Sequence, residues 1–144
     1  TMRTVRHLLE EKGHEVHAID PDAAVLDAIR LMAEKQVGAV LVMRGRELVG
    51  MLSERDYARK VILAGLSSRD TPVRDIMTGD VVTVGLDDHV PGCMEIVTRK
   101  RIRHLPVVDA AGTVLGLVSI GDLVKAVIAD QQTELEHLHS YIAG

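Results

Sequence analysis

Phenylalanine and tryptophan are absent from this sequence, and Tyr57 and Tyr141 are its only tyrosines. Modules that bind single strands or RNA stack bases on several aromatic rings, and this chain lacks them. A net charge of −4 argues the same way, since phosphate backbones demand a basic surface. A purine bound here would lie between aliphatic side chains. Cys93 is the single cysteine, so no intrachain disulfide can form and a reducing cytoplasm is the expected setting. No apolar run approaches the roughly 18 residues of a membrane span. The opening HLLEEKGHE turns charged at once, unlike a signal peptide.

Catalytic signatures are also missing. There is no P-loop, nucleophile elbow or HExxH pattern. His89 and Cys93 stand four apart on a helical stretch, but two ligands are too few for a metal and a buried structural cysteine is common. His137 and His139, two apart, point to different helix faces. Asp87 and Asp88 fall in a turn, the ordinary place for solvated aspartates. No catalytic residue and no metal site are expected, and the chain does not read as an enzyme.

What is present is a repeat. The stretch GMLSERD (50–56) returns as GLVSIGD (116–122), an offset of 66, with Gly50, Ser53 and Asp56 mapping onto Gly116, Ser119 and Asp122. Upstream the offset is 65: Val16 to Val81, Ile19 to Val84, Val25 to Val90 and Val42 to Val107. The extra residue falls at the turn AAG, where insertions are tolerated.

Each copy reads strand, helix, strand, strand, helix. The strands begin with EVHAI (15–19) and DVVTV (80–84). Helices over about 23–35 and 89–101 follow, the first from the 3- and 4-residue steps of Val25, Ala28, Ile29, Met32 and Ala33. Pro91 fits the second only as an early helical position. Hairpins span 39–52 and 105–118, and the helices SERDYARKVILAG and SIGDLVKAVIADQQ close the units. The expected fold class is α+β. Repeat 1 covers 5–65, LSSRDTP within 66–72 is the linker, repeat 2 covers 73–128, and a helical extension runs over 129–144.

The tandem order, the paired G-x-x-S-x-x-D, RHLPVVD at 103–109 and MTGDVVTV at 77–84 together resemble a pair of CBS domains, also called a Bateman module. The likeness covers about residues 5–130. It implies two repeats packed about a pseudo-two-fold axis with two clefts between them. It also implies a sensory rather than catalytic role, with adenosine-containing ligands such as AMP, ADP, ATP, NAD(H) or S-adenosylmethionine.

The residues suit that task. Ser53 and Ser119 are natural helix caps, worth roughly 1 kcal/mol each, and Asp56 and Asp122 complete S-x-x-D boxes. The same geometry is an anion site, Ser53 and Ser119 facing phosphate, while a carboxylate can accept from both hydroxyls of a ribose. Gly50 and Gly116 permit close approach to the backbone. The adenine slot is expected at Val82, Thr83, Pro106, Val107, Ile120 and Gly116 in one copy. Its counterpart is His17, Ala18, Leu41 and Gly50, with Val42 and Glu54 beside them. Ala18 lacks the hydroxyl of Thr83, and Glu54 is more polar than Ile120.

Family members carry phosphate-binding bases at the positions of Arg103, His104 and Arg55. The resemblance therefore implies that the Asp122 cleft is the stronger, drawing on Arg103 or His104 and, from the other repeat, on Arg55. The alternatives are an NAD(H) sensor, or an interaction module with empty clefts. Leu135, Leu138, Tyr141 and Ile142 form an apolar stripe in the tail, and a homodimer is expected, acting on a separate regulated protein. Membrane and nucleic-acid partners are not expected.

Overall fold

A computed structural model describes residues 3–143. The chain gathers into two compact units that cut across the sequence repeats. One holds residues 15–82 with 109–114; the other holds 3–14, 83–108 and 115–143.

The first unit is built on a three-stranded sheet in the order β1-β2-β3. Strand β1 (Ala18–Ile19) runs parallel to β2 (Ala39–Arg44), which pairs antiparallel with β3 (Glu47–Ser53) from Ala39↔Ser53 to Arg44↔Glu47. Gly45, with φ +64°, supplies the left-handed residue that the tight turn between them needs. Helix α2 (Val25–Lys35) lays Val25, Ala28 and Met32 on Val40, Val42 and Leu52. Their 3- and 4-residue spacing makes one apolar face. The hairpin closes into α3 (Glu54–Tyr57), a single turn that loosens into a π-helical stretch over Ala58–Ile62.

In the second unit α1 (Val5–Lys12) precedes the body by sequence but packs within it. Its Thr4 cap accepts from the His7 N–H, and its Val5, Leu8 and Leu9 are buried. Helix α4 (Val90–Lys100) carries Pro91 in its first turn, where a missing N–H costs nothing. Strands β4 (His104–Val108) and β5 (Val114–Ser119) form a two-stranded sheet, and α5 (Ile120–Ala143) runs on for 24 residues. Val84, Val90, Cys93, Val97, Leu105, Val107, Val118 and Leu123 are buried there.

Three sequence expectations change. The strand expected over 15–19 pairs only at Ala18 and Ile19, and that over 80–84 only at Val84, bridged in parallel to Val107. Alternation of apolar residues reports which side chains turn inward; it does not guarantee that each backbone group meets a neighbouring strand. The helix expected from SERDYARKVILAG is α-helical for four residues only. Leu63 N–H donates to the Ala58 carbonyl at 3.1 Å, five residues back, which turns Val61 inward and leaves Ile62 and Leu63 exposed.

Each repeat carries a leader ahead of its first strand. VRHLL (5–9) and VRDIM (73–77) are 68 residues apart and do the same work. Val5 N–H donates to the Asp88 carbonyl and Val73 N–H to the Ala23 carbonyl, at 2.9 and 2.8 Å. Arg6 pairs with Asp87 at 3.1 Å and Arg74 with Asp22 at 2.7 Å. Each leader therefore docks on the body of the copy it does not precede in sequence.

Candidate functional site

Both S-x-x-D motifs sit at a strand-to-helix turn. In the first unit Asp56 N–H donates to Ser53 Oγ at 3.1 Å, while Ser53 N–H and Oγ–H donate to Asp56 Oδ2, each at 3.0 Å. In the second, Asp122 N–H donates to Ser119 Oγ at 3.2 Å and Ser119 N–H to Asp122 Oδ2 at 2.8 Å. The backbone is tied identically behind each motif. Glu54 N–H donates to the Gly38 carbonyl and Ile120 N–H to the Arg103 carbonyl, at 3.0 and 2.9 Å. Reciprocal capping satisfies two donors that a helix start leaves open.

The two carboxylates differ in the lysine that meets them. Asp56 Oδ1 lies 3.4 Å from Lys60 Nζ, one turn along the same helix, and Lys60 also donates to the Ile76 carbonyl at 3.0 Å. Asp122 Oδ2 accepts from Lys12 Nζ at 2.7 Å, and the same ammonium donates to the Leu117 carbonyl at 2.8 Å. Lys12 is the last residue of α1, 110 positions away. Sequence reasoning missed it. The available signal was the repeated V-R-x-(L/I)-(L/M) leader, which marks residues 5–12 as part of a structural unit rather than a preamble.

Around Asp122 the charges converge. Burial alone would raise its carboxyl. Lys12 and the Ser119 donors outweigh that and hold it below the ordinary carboxylate value. His104, half-buried at the start of β4, is pushed the other way. Burial first, then the positive charges of Lys12 and Arg103, lower its pKa below the usual 6.5, against the opposing pull of Asp122. At neutral pH His104 is an uncharged hydrogen-bonding group, and the cations at this site are Lys12 and Arg103.

The glycines are occupied from within. A Cβ on Gly116 would lie 2.7 Å from Leu9 Cδ2, and one on Gly50 would lie 2.6 Å from Met77 Sδ and 2.8 Å from the Thr78 carbonyl oxygen. What approaches each backbone closely is the chain's own leader. Of the expected adenine slots, Leu41, Val42 and Val107 are fully buried and Pro106 is buried, so their side chains are core. Thr83 and Ile120 in one copy, and Ala18 and Glu54 in the other, are exposed beside those strands. Val82 and His17 are half-buried next to them. The hydrogen bonds Leu41 N–H to His17 carbonyl, at 2.9 Å, and Val84 N–H to Pro106 carbonyl, at 3.0 Å, put the two slots at equivalent places. Arg55 is exposed on α3 beside Asp56, and Arg103 is exposed at the foot of β4.

Cys93 is buried, and burial with the Asp88 charge pushes its thiol up to about 11, which keeps it protonated and unreactive. Among the described residues no group of three or more His, Cys, Asp or Glu could hold a metal, and no helix is long and apolar enough to cross a membrane.

A model of the CBS domain matches residues 4–62 and again 73–129. The chain is 39% identical to the CBS domain-containing protein CBSX3, mitochondrial, of Arabidopsis thaliana, over 98% of this chain and 72% of that one. A candidate signal-transduction protein with CBS domains from Burkholderia ambifaria superposes with a TM-score of 0.85 at 47% identity, covering 90% of this chain and 96% of the other. A CBS domain pair solved in complex with 5′-methylthioadenosine and S-adenosyl-L-methionine shares the fold. Its TM-score is 0.80 at 19% identity, over 90% of this chain and 99% of that one.

Proposed function

The chain belongs to the CBS-domain family, and we propose that it is a regulatory sensor of adenine nucleotides rather than a catalyst. The ligand class is AMP, ADP or ATP, with NAD(H) as the alternative. Asp122 takes the ribose in the stronger site and Asp56 in the weaker, while Thr83 and Ile120 flank the adenine. The observation that carries this reading is the Asp122 carboxylate, held ionised by Lys12 and the Ser119 donors, with His104 nearby and Arg103 next to His104 in the chain. A diol and an anion on one small molecule match a carboxylate beside cations. The adenosine moiety of both ligands in the related domain pair supports the same class.

Signalling is conformational. Ligand shifts the balance between two arrangements by its difference in affinity for them, and a separate regulated protein, in a cytoplasmic setting, reads the result. The module acts as a homodimer. Leu135, Leu138, Tyr141 and Ile142 lie exposed along the last turns of α5, an apolar surface that a second copy would cover. Deleting 131–144 removes that contact, and sedimentation then shows monomer; an unchanged dimer takes the tail out of the interface.

The deciding experiment is a thermal-shift panel on nucleotide-stripped protein with AMP, ADP, ATP, NAD, NADH and S-adenosylmethionine. Ligand at 100 times its dissociation constant adds about 2.7 kcal/mol, which raises the midpoint by about 5 °C or more for a chain of this size. The shift disappears in Asp122→Ala and persists in Asp56→Ala. No shift with any adenosine compound overturns the reading in favour of an interaction module with empty sites.

A further inference from the structure

We propose that Lys12 reads the charge of the ligand, making the Asp122 site selective for a nucleoside that carries a 5′-phosphate over the uncharged nucleoside. The inference rests on the nucleotide reading above and adds to it a residue from outside the repeated motif.

The argument starts from the geometry. Lys12 Nζ has three N–H donors, and two are spent, on Asp122 Oδ2 at 2.7 Å and on the Leu117 carbonyl at 2.8 Å. The pair is partly open, with side-chain exposures of 35% for Lys12 and 21% for Asp122, so a ligand can reach it. A ribose hydroxyl that binds Asp122 competes with the ammonium for the carboxylate. An ammonium deprived of its carboxylate in a half-buried place is costly unless another anion replaces it. A phosphate replaces it; the 5′-hydroxyl of a free nucleoside does not.

Charge counting gives the same result. Lys12 balances Asp122, and Arg103 adds a further positive charge beside His104, which favours an anion. Without Lys12 the Asp122 carboxylate faces the phosphate unscreened. The placement is firm because α1 is anchored by Leu9, which is fully buried and fills the open face of Gly116. The first unit has no such device. Counting 68 residues on from Lys12 reaches Asp80, and the lysine beside Asp56 is Lys60 of its own helix, which also holds the Ile76 carbonyl.

The test is calorimetry of adenosine and adenosine 5′-monophosphate on the full chain and its Lys12→Gln and Lys12→Arg variants, with melting curves confirming that each variant folds. Wild type prefers the monophosphate. Lys12→Gln loses about ten-fold or more in monophosphate affinity, as expected for one charge-assisted contact. Its adenosine affinity stays within about two-fold or rises, because a competitor for Asp122 has gone. Lys12→Arg keeps the preference. Equal weakening of both ligands in Lys12→Gln would mean that Lys12 only holds Asp122 in place, and no change in either would leave Lys12 outside the site; both outcomes overturn the inference. If wild type binds neither ligand, the nucleotide reading itself fails and the inference falls with it.

Discussion

The two halves of this chain solve one structural problem with different pieces. Each needs a leader to cover the glycine ahead of its S-x-x-D turn and a lysine to balance the aspartate. The leader of the second unit is a full helix, Val5–Lys12, whose last residue is the balancing lysine. In the first unit the leader is a 3-10 turn, Val73–Asp75, followed by an extended stretch, and the lysine comes from α3 and its continuation. A turn packs by its backbone, so Thr78 bonds Met51 in both directions, at 2.9 and 3.0 Å. A helix packs by side chains, so Leu9 fills the place instead. Equivalent positions thus differ in rigidity at one glycine and in charge at one aspartate.

Alanine at the two glycines sharpens that comparison with the largest expected effect. At Gly50 the new Cβ would strike the Thr78 carbonyl, which cannot yield without breaking the Met51 bridge. Overpacking of this kind costs about 3 kcal/mol. At Gly116 it meets only the branched end of Leu9, and the cost is about 1 to 2 kcal/mol. Urea unfolding of Gly50→Ala and Gly116→Ala measures both, and an equal loss would show that Leu9 is as immovable as backbone.

The next effect is confined to the second unit and depends on pH. His104 has a folded pKa below 6.5, so just below that value the unfolded chain binds more protons than the folded one. The stability it contributes is therefore whole above about pH 6.5 and falls as pH drops toward the folded pKa. Asp122 acts lower on the scale. Its contribution is whole above the ordinary carboxylate value of 3.8 and is lost as pH falls through its depressed one. Urea midpoints taken from about pH 7.5 to about 5.5 will fall in wild type. The fall will be shallower in His104→Asn, and parallel slopes would remove His104 as the titrating group.

The smallest effect concerns the feature the halves share most closely. Arg6–Asp87 and Arg74–Asp22 are exposed pairs, so Arg6→Ala and Arg74→Ala each cost under about 1 kcal/mol. A loss well above that in either would reveal that its leader depends on charge rather than on buried Val5 or Val73.

What could be read from the sequence follows from what periodicity encodes. The hairpins and α2 were legible because their apolar spacing is regular and both ends carry turn signals, and α4 because it is the repeat partner of α2. The paired S-x-x-D was legible because capping is local: four residues contain all of it. The short strands were not, because pairing depends on a neighbour that the segment does not contain. The close neighbours of Gly50 and Gly116, Met77 and Leu9, lie far off in sequence, so the motif alone does not name them. Lys12 was invisible for the same reason. It looks like one more surface lysine at a helix end until α1 is folded against β5.

The exchange of leaders has a consequence for how the molecule is made. The first unit is nearly continuous, residues 15–82 with a short later piece, so most of it can form while the rest of the chain is still being synthesised. The second unit joins residues 3–14 to residues 83–108 and 115–143. Its first helix must wait, amphipathic and unpartnered, until β5 and the start of α5 have emerged, and closing that separation slows folding. During that interval Val5, Leu8 and Leu9 are exposed to any nascent neighbour. A ribosome-bound chain stopped near residue 100 should therefore be the species that chaperones hold longest.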